Sequence, residues 1–233
     1  MRLAVIPARG GSKRIPRKNI KSFCGKPIMA WSIEAALASG CFDDVIVSTD
    51  DEEIRTVARE WGASVPFLRP AMLSDDHAGT LPVIRHAIEW HCAKGRTPDA
   101  VCCVYATAPF VTAIDLQLGL EMLQSTGAAY SFSVTDYEFP IQRAIRVKAN
   151  GRVSMFYPEH WNTRSQDLEQ AFHDAGQFYW GQASAWLAET PIFSTDSAPI
   201  MLPRHRVQDI DTLDDWTRAE WLFKAQQASS AAD

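Results

Sequence analysis

Short apolar runs alternate with longer amphipathic stretches over the first 136 residues of the chain. The apolar runs are typical of buried strands and lie at 3–8, 44–50, 63–68, 100–107 and 128–136. The amphipathic stretches carry helix signals, such as proline or acidic residues at the start and glycine at the end, and lie at 27–40, 51–62, 81–95 and 112–127. This alternation predicts an α/β fold, with a mostly parallel sheet covered by helices on both faces.

The alternation breaks after residue 136. Asn150-Gly151 separates two semi-alternating runs and is the strongest short hairpin signal in the chain. We therefore predict that 137–165 projects from the sheet as an insertion within a single domain, residues 1–233. A returning strand is predicted at 176–182, and a C-terminal helix follows whose apolar face is made of Trp216, Ala219, Leu222 and Phe223.

Charge is distributed unevenly along the chain. The 233 residues include 23 Lys and Arg against 28 Asp and Glu, for a net charge of −5. Eight of the cations lie within residues 1–33, which contain no acidic residue. A positive field gathered into one loop favours a small anion over nucleic acid, which needs a broader basic face. We predict no nucleic-acid partner.

Two other classes of protein are disfavoured by composition. The five cysteines are odd in number and contain no C-x-x-C pair, which indicates reduced thiols rather than a disulfide framework or a zinc site. No apolar stretch approaches the roughly 18 residues of a membrane span, and the N-terminal residues lack the apolar core of a secretory signal. These features predict a cytoplasmic protein that does not enter a membrane.

The basic loop, IPARGGSKRIPRKN, directly follows the first strand, where a parallel sheet places its binding sites. It matches neither the Walker A pattern nor G-x-G-x-x-G. Gly10, Gly11 and Ser12 offer backbone N–H groups in a tight curve that can approach phosphate oxygens closely. The loop therefore predicts a triphosphate site, with a solvated basic loop as the alternative. Its positive charge comes mainly from Arg9, Lys13 and Lys18.

The motif QDIDT places Asp209 and Asp211 two residues apart. In an extended segment both carboxylates would point to the same side, with Ile210 buried behind them. The alternative is that Asp211 only caps the helix that begins near Thr212, which is a common use of aspartate.

The basic loop and four further motifs resemble the CMP-sialic acid synthetase (acylneuraminate cytidylyltransferase) family, and they occur in the same order. The further motifs are VIVSTDDEEI, FLRPAMLSDD, ATAPF and QDIDTLDDW. The resemblance extends over almost the whole chain. At 104–109 the chain has VYATAP where sialic acid members usually have LQPTSP, and this stretch is similar to the pseudaminic acid branch of the family.

The resemblance implies a Rossmann-like nucleotidyltransferase fold and a specific reaction. The anomeric hydroxyl of pseudaminic acid would attack the α-phosphate of CTP in line, giving CMP-pseudaminic acid and pyrophosphate. The resemblance also implies Mg²⁺ as cofactor, and a homodimer formed through a projecting segment, for which 137–165 is the candidate. The implied nucleotide contacts are Arg9, Gly10, Gly11, Ser12, Lys13, Lys18, Asn19, Arg69 and Thr80. The implied catalytic residues are Lys18, Asp209 and Asp211, of which the two aspartates would hold Mg²⁺.

Some of the candidate sugar-binding residues also fit another role. Gln177 and Tyr179 alternate along the returning strand, so both can face one pocket, although Tyr179 also fits a packed core. An arginine matches a sugar carboxylate bidentately, which suits Arg164. Thr80 fits helix capping as well as a nucleotide contact. The implied sugar-binding set is Tyr105, Arg164, Gln177 and Tyr179.

Two other functions stay open at this point. One is a related enzyme that uses N-acetylneuraminic or legionaminic acid, or a deoxyoctulosonic acid, whose enzymes usually have a different opening loop. The other is a non-catalytic sugar-nucleotide-binding protein, which would be expected to have lost a cation or an aspartate. The chain retains Arg9, Lys18, Asp209 and Asp211.

Overall fold

The computed structural model describes residues 1–75 and 79–230. Its strands are β1 (Arg2–Pro7), β2 (Ser22–Phe23), β3 (Lys26–Pro27), β4 (Asp44–Ser48), β5 (Ala100–Val104), β6 (Tyr130–Asp136), β7 (Ile145–Val147), β8 (Val153–Met155), β9 (Phe172–Gln182) and β10 (Ser197–Met201). Its α-helices are α1 (Ile28–Ser39), α2 (Glu52–Glu60), α3 (Thr80–Ala93), α4 (Ala113–Thr126), α5 (Ala183–Leu187) and α6 (Leu213–Ser230).

Six strands form the central sheet, in the order β10-β6-β9-β5-β1-β4. The pairs β1–β4, β1–β5 and β6–β10 are parallel, and only β9 runs antiparallel to its neighbours β5 and β6. The predicted mostly parallel sheet is therefore confirmed, and β9 is the predicted returning strand.

Both faces of the sheet are covered, as predicted. Alternate residues of β1 point to opposite faces, so Ala4 and Ile6 pack with helices α1, α2 and α4. Leu3 and Val5 pack on the other face with α3 and α5. A third apolar cluster ties α6 to the basic loop and to the segment before α6, and it contains Ile15, Phe23, Ile28, Phe110, Ile210, Trp216, Ala219 and Phe223.

Helix boundaries follow the signals in the sequence. Pro27 precedes α1, and Gly40 ends it in the left-handed conformation, with φ of 64°. Asp51 caps α2 by accepting a hydrogen bond from the Ile54 N–H. Thr112 and Asp115 form a capping box at the start of α4.

The strand predicted at 63–68 is wrong. This segment makes only two isolated bridges, Ile46 with Ser64 and Thr49 with Leu68. Pro66 lies between the bridges and has no N–H to donate, so a continuous ladder cannot form. The edge strand β10 was missed, because Pro199 weakens its strand signal, although a proline is tolerated at a sheet edge.

The predicted hairpin is confirmed. Strands β7 and β8 pair antiparallel, with Ile145 opposite Met155. In the turn between them, the Asn150 side chain accepts a hydrogen bond from the Arg152 N–H at 3.1 Å, and Gly151 has a φ of 75°. The projecting segment, defined here as residues 137–171, lies between the paired ends of β6 and β9, so it extends six residues beyond the predicted 137–165.

In the parts of the chain that the structure describes, no helix has the length and apolar character needed to span a bilayer.

Candidate active site

A cavity of about 550 Å³ opens at the carboxyl end of the central strands, where the basic loop leaves β1. Parallel sheets of this kind bind ligands at that edge. The cavity is lined mainly by polar and basic side chains. They come from the basic loop, from the segment around residue 70, from the residues that follow β5, and from the D-I-D motif. The lining residues are Pro7, Arg9, Ser12, Lys13, Arg14, Lys18, Asn19, Arg69, Leu73, Asp75, Gly79, Thr80, Val83, Tyr105, Ala106, Thr107 and Asp211.

The loop cations converge on Asp211. Arg14 forms an ion pair with its carboxylate at 2.8 Å. Lys18 Nζ lies 3.5 Å from the same carboxylate and donates a hydrogen bond to the Ile210 carbonyl at 2.6 Å. The D-I-D motif and the loop therefore meet across the cavity, although 192 residues separate Lys18 from Ile210.

Internal hydrogen bonds hold the cavity side of the loop. The buried Asn19 side chain donates to the Arg9 carbonyl at 2.9 Å. The Arg9 guanidinium in turn donates to the Asp75 carbonyl at 2.8 Å. These contacts tie both ends of the loop together and fix the direction of its basic side chains.

Arg69 is a buried cation in the cavity wall, with only 6% of its surface exposed. Its backbone N–H bonds to the Thr49 carbonyl at 2.7 Å, and its Nε donates to the Ser74 hydroxyl at 3.2 Å. Burial lowers the pKa of Arg69, and the Asp50 carboxylate, 3.8 Å from the guanidinium, opposes this shift. A buried cation beside a cavity is suited to an anionic or carbonyl-bearing ligand.

The helix-cap alternative for Asp211 does not hold. Thr212 caps α6 instead, since its hydroxyl accepts a hydrogen bond from the Asp215 N–H at 3.2 Å and its own N–H donates to the Asp215 carboxylate at 2.8 Å. Ile210 is buried against the loop cluster, which leaves Asp211 directed into the cavity. Asp209 lies outside the cavity lining. Partial desolvation, and then the negative charge of Asp211, raise the pKa of Asp209.

Asp211 offers the cavity a carboxylate of the kind that a divalent cation binds, and Asp209 lies two residues before it. Within residues 1–75 and 79–230 no group of three or more His, Cys, Asp or Glu side chains could hold a metal by itself. Mg²⁺ is usually bound through one or two carboxylates together with substrate phosphates, so a complete protein cage is not needed. Desolvation and, after it, the charge of Asp211 raise the pKa of Asp209, and a bound cation would relieve the second of these effects.

Tyr105 lines the cavity, and Tyr179 packs behind it without lining the cavity. The Tyr105 hydroxyl lies 3.4 Å from the Thr80 hydroxyl, and both residues line the cavity. The Tyr105 and Tyr179 rings are 5.3 Å apart, and the buried Tyr179 donates its hydroxyl proton to Asp174. Desolvation raises the pKa of both tyrosines, so they stay neutral.

Gln177 and Arg164 lie outside the cavity lining. The Gln177 side chain is buried and donates to the Arg206 carbonyl at 2.6 Å. Arg164 belongs to the projecting segment, where it forms an ion pair with Asp167 at 2.7 Å and its side chain is 72% exposed. Asp209 and Tyr179 are likewise outside the lining. The remaining predicted residues are brought together: Arg9, Ser12, Lys13, Lys18, Asn19, Arg69, Thr80, Tyr105 and Asp211 line the cavity, with Gly10 and Gly11 in the loop between them.

Two residues near the cavity were missed by sequence reasoning. Arg14 lines it, and its place among the loop cations was a usable signal. Asp50 follows β4 and accepts a hydrogen bond from the Gly10 N–H at 3.0 Å. The rule that sites lie at the carboxyl ends of strands would have pointed to Asp50.

The geometry at this edge of the sheet agrees with a comparison to known protein families. The family model described as Cytidylyltransferase matches residues 3–210. The chain belongs to the cytidylyltransferase family. Almost all of the loop, cavity and D-I-D residues described above fall within the matched range.

Curated relatives of this cytidylyltransferase cover nearly its full length. It is 48% identical over 228 residues to the pseudaminic acid cytidylyltransferase of Campylobacter jejuni subsp. jejuni serotype O:2, covering 98% of each chain. It is 32% identical to the CMP-N,N'-diacetyllegionaminic acid synthase of Legionella pneumophila, covering 97% of each chain. The predicted resemblance to this group of enzymes is thus confirmed.

The fold also matches solved structures. The structure of CMP:2-keto-3-deoxy-manno-octonic acid synthetase complexed with CTP superposes with a TM-score of 0.69, covering 97% of this chain and 99% of that chain. Sequence identity to it is 15%, so the likeness concerns the fold alone. The predicted Rossmann-like nucleotidyltransferase architecture is confirmed.

Proposed function

We propose that this cytidylyltransferase joins CTP to pseudaminic acid, an acidic nine-carbon sugar, and releases pyrophosphate. The observation that carries the proposal is the convergence of loop cations and Asp211 on one cavity at the carboxyl end of the sheet. The full-length similarity to pseudaminic acid cytidylyltransferases supports the choice of both substrates.

The triphosphate lies along the basic loop. At Gly11 no side chain blocks the approach of phosphate oxygens to the backbone, while Lys13 and Lys18 line the cavity and supply point charges. Before the nucleotide binds, the ion pairs to Asp211 hold Arg14 and Lys18 at the cavity. The cations are therefore positioned in advance, which lowers the ordering cost of binding.

The reaction is a single displacement at phosphorus. The anomeric oxygen of the sugar forms a bond to the α-phosphorus of CTP, and the bond from that phosphorus to the bridging oxygen of the β-phosphate breaks. Pyrophosphate leaves with that oxygen, and the proton of the sugar hydroxyl passes to solvent water. Catalysis of such a step depends on positioning and on neutralising the charge of the phosphates. Lys18 neutralises part of that charge.

Asp209 and Asp211 would hold Mg²⁺, which supplies positive charge at the phosphates when bound. Asp211 also orients Lys18 and Arg14, as the ion pairs indicate. Arg69 and Thr80 lie on the cavity wall beyond the loop, where we place the cytosine and ribose.

Tyr105 is proposed to contribute to sugar selection. It lines the cavity with its hydroxyl close to Thr80, and its ring packs near Tyr179. A tyrosine and a glutamine at this position offer different shapes and hydrogen bonds, and an unpaired polar group in a pocket costs about 1–3 kcal/mol. We therefore expect kcat/KM for pseudaminic acid to exceed that for N-acetylneuraminic acid by roughly tenfold or more.

We further propose a homodimer and a cytoplasmic location. The projecting segment exposes apolar side chains that a second copy would cover, and Arg164 would then lie near the partner instead of in open solvent. All five cysteines are free thiols, which suits a reducing compartment.

The test is a sugar panel with CTP and Mg²⁺. Pyrophosphate release is measured with pseudaminic, N-acetylneuraminic and legionaminic acids, each at several concentrations. The proposal predicts release with all three or with pseudaminic acid alone, and the highest kcat/KM for pseudaminic acid. A higher kcat/KM for N-acetylneuraminic acid would overturn the choice of sugar. Tight CTP binding with no pyrophosphate from any sugar would instead favour a non-catalytic nucleotide-binding protein.

A further inference from the structure

Arg17 is a loop cation that points away from the cavity. The loop cations that line the cavity are Arg9, Lys13, Arg14 and Lys18. Arg17 instead reaches the start of α2, where its guanidinium makes two hydrogen bonds to the Asp51 carboxylate, at 2.5 and 2.8 Å, and one to Glu53. A bidentate arginine–carboxylate pair has a fixed geometry as well as strong attraction.

The backbone at Arg17 is in an unfavourable conformation. Its φ of 56° and ψ of 29° lie in the left-handed region, which is unfavourable for a residue with a side chain. The surrounding contacts must outweigh this cost. The three hydrogen bonds to α2 are the strongest contacts that could do so, since all of them join charged groups.

The other end of the loop is held by the neighbouring aspartate. The Asp50 carboxylate accepts a hydrogen bond from the Gly10 N–H at 3.0 Å. Asp50 and Asp51 lie between β4 and α2, so two adjacent carboxylates in this connection hold the loop at residues 10 and 17. The Gly-Gly-Ser stretch and the cavity cations at 13 and 14 lie between these two points.

Little space separates the loop from Asp51. A Cβ placed on Gly10 would lie 2.6 Å from a carboxylate oxygen of Asp51 and 3.0 Å from its Cβ. The same carboxylate caps α2 through the Ile54 N–H at 3.0 Å, so it cannot move away freely. The loop thus packs directly on a carboxylate that is fixed from two sides.

We propose that Arg17 and Asp51 are positioning residues that hold the basic loop in its ligand-binding shape before the nucleotide arrives. The identity of that ligand, CTP, rests on the proposed function. Asp51 supplies a negative charge on the side of the loop that faces away from the cavity. Arg17 binds this charge, and the next residue in the chain is Lys18.

The proposal has a quantitative consequence for binding. When only a fraction of molecules has the competent loop shape, the apparent dissociation constant rises by the inverse of that fraction. Without the Arg17 contacts, we expect about one molecule in ten to keep the shape, and hence a roughly tenfold weaker affinity for CTP. Turnover at saturating CTP should change by less than about threefold, since Arg17 touches neither the cavity nor Asp211.

The experiment compares Arg17→Met with Arg55→Met. Arg55 is a matched control, because it pairs with Glu52 on the exposed side of α2 at 3.1 Å and has no contact with the loop among the described hydrogen bonds and ion pairs. The measurements are CTP affinity by calorimetry, KM for CTP, kcat, and hydrogen exchange of the loop amides without ligand. The expected result is a tenfold rise in the dissociation constant and KM, and faster exchange over residues 9–17, for Arg17→Met alone.

Two further variants separate positioning from a general loss of stability. Asp51→Asn keeps the helix cap, because asparagine caps about as well as aspartate, but it removes the charge that Arg17 binds. The double variant Arg17→Met with Asp51→Asn should bind CTP no more weakly than the worse single variant, since both remove one contact. Arg17→Lys should bind CTP more tightly than Arg17→Met but less tightly than the wild type, because lysine keeps the charge and cannot make the bidentate contact.

Each outcome decides the proposal. Unchanged CTP affinity and unchanged loop exchange in a folded Arg17→Met variant would overturn it, as would equal effects of Arg55→Met. If Arg17→Met does not fold, additive effects of Asp51→Asn and Arg17→Lys on CTP affinity would overturn it. If the wild-type chain does not bind CTP, the proposed function fails, and loop exchange in the same variants still decides whether Arg17 and Asp51 hold the loop.

Discussion

The basic loop and the projecting segment differ in which side chains they leave in contact with solvent. In the loop, charged side chains contact charged groups elsewhere on the same chain, such as Arg14 with Asp211 and Arg17 with Asp51. Its apolar residue Ile15 is buried as well. In the projecting segment, apolar side chains face solvent, and Phe139 and Val147 are 73% and 72% exposed.

The difference indicates what kind of partner each region has. A polar cavity whose cations are already held in place is suited to a small, highly charged ligand. A hairpin with apolar side chains in water is suited to a protein surface that removes those side chains from water. The first region is therefore our candidate for catalysis, and the second is our candidate for self-association.

The largest effect should come from Asp211. Asp211→Asn removes a charge that faces Lys18 and Arg14, so we expect turnover to fall roughly 10²-fold or more. The melting temperature should hardly change, because Thr212 and not Asp211 caps α6. Turnover and thermal melting measured on the same preparation test this.

Thr212→Ala is the matched control for Asp211. It removes the cap one residue away, so it should lower stability by about 1 kcal/mol and leave turnover close to that of the wild type. Near-normal turnover in Asp211→Asn would contradict a catalytic role for the Asp211 carboxylate.

The next effect concerns the packing of the loop. Gly10→Ala forces a Cβ to within 2.6 Å of the Asp51 carboxylate, so we expect a loss of about 1–3 kcal/mol in the free energy of unfolding. A Cβ on the neighbouring Gly11 meets no atom within 4 Å in the described part of the chain, so Gly11→Ala should fold normally. Urea denaturation measures both. Equal stability of the two variants would contradict the close contact between loop and α2.

A smaller effect is expected in the projecting segment. Phe139→Glu places a charge on the exposed apolar surface and should weaken the proposed homodimer roughly 10- to 30-fold, while leaving CTP affinity unchanged. Trp221→Glu is the control, since Trp221 is 68% exposed on α6, outside the segment. Light scattering over a concentration series measures both. A wild-type monomer at micromolar concentration would contradict the assignment of this surface.

The smallest effect depends on pH. Hydrogen bonds from Arg17 lower the pKa of Asp51 from 3.8 to about 2. Because the folded pKa lies below the unfolded value, the stabilisation is present above about pH 4 and is lost as pH falls toward 2. Both side chains are partly exposed, so we expect Asp51→Asn to lower the free energy of unfolding by about 1 kcal/mol between pH 5 and 8.

The pH series itself provides the control for Asp51. The gap between wild type and Asp51→Asn should narrow below pH 4, whereas Glu52→Gln, in an exposed pair, should differ little from wild type at any pH. Urea denaturation at several pH values measures the gap. A gap that stays constant down to pH 3 would contradict the charged contact between Arg17 and Asp51.

Much of the fold could be predicted because its signals are local. Apolar strands, the Asp51 and Thr112 caps, and the Asn150-Gly151 turn each depend on a few neighbouring residues, and all appear in the structure. The strand predicted around Pro66 failed because an apolar run does not show whether its backbone N–H groups can pair.

The site could be predicted in part for the same reason. The loop and the D-I-D motif are continuous stretches, so their residues were found from spacing and resemblance. Asp50 and Arg14 were missed because their roles depend on contacts between residues far apart in the sequence. Asp50 accepts a hydrogen bond from the Gly10 N–H, 40 positions away, and Arg14 pairs with Asp211. The place of Arg164, outside the cavity of its own chain, likewise depends on tertiary structure.

The most direct test of the account is a competition among nucleotides. Equimolar CTP, UTP, ATP and GTP are incubated with the protein, Mg²⁺ and pseudaminic acid, and the products are identified by mass spectrometry. The account predicts CMP-pseudaminic acid as the dominant product, with one pyrophosphate released for each molecule formed. Comparable amounts of a UMP-, AMP- or GMP-sugar, or pyrophosphate without any sugar nucleotide, would contradict it.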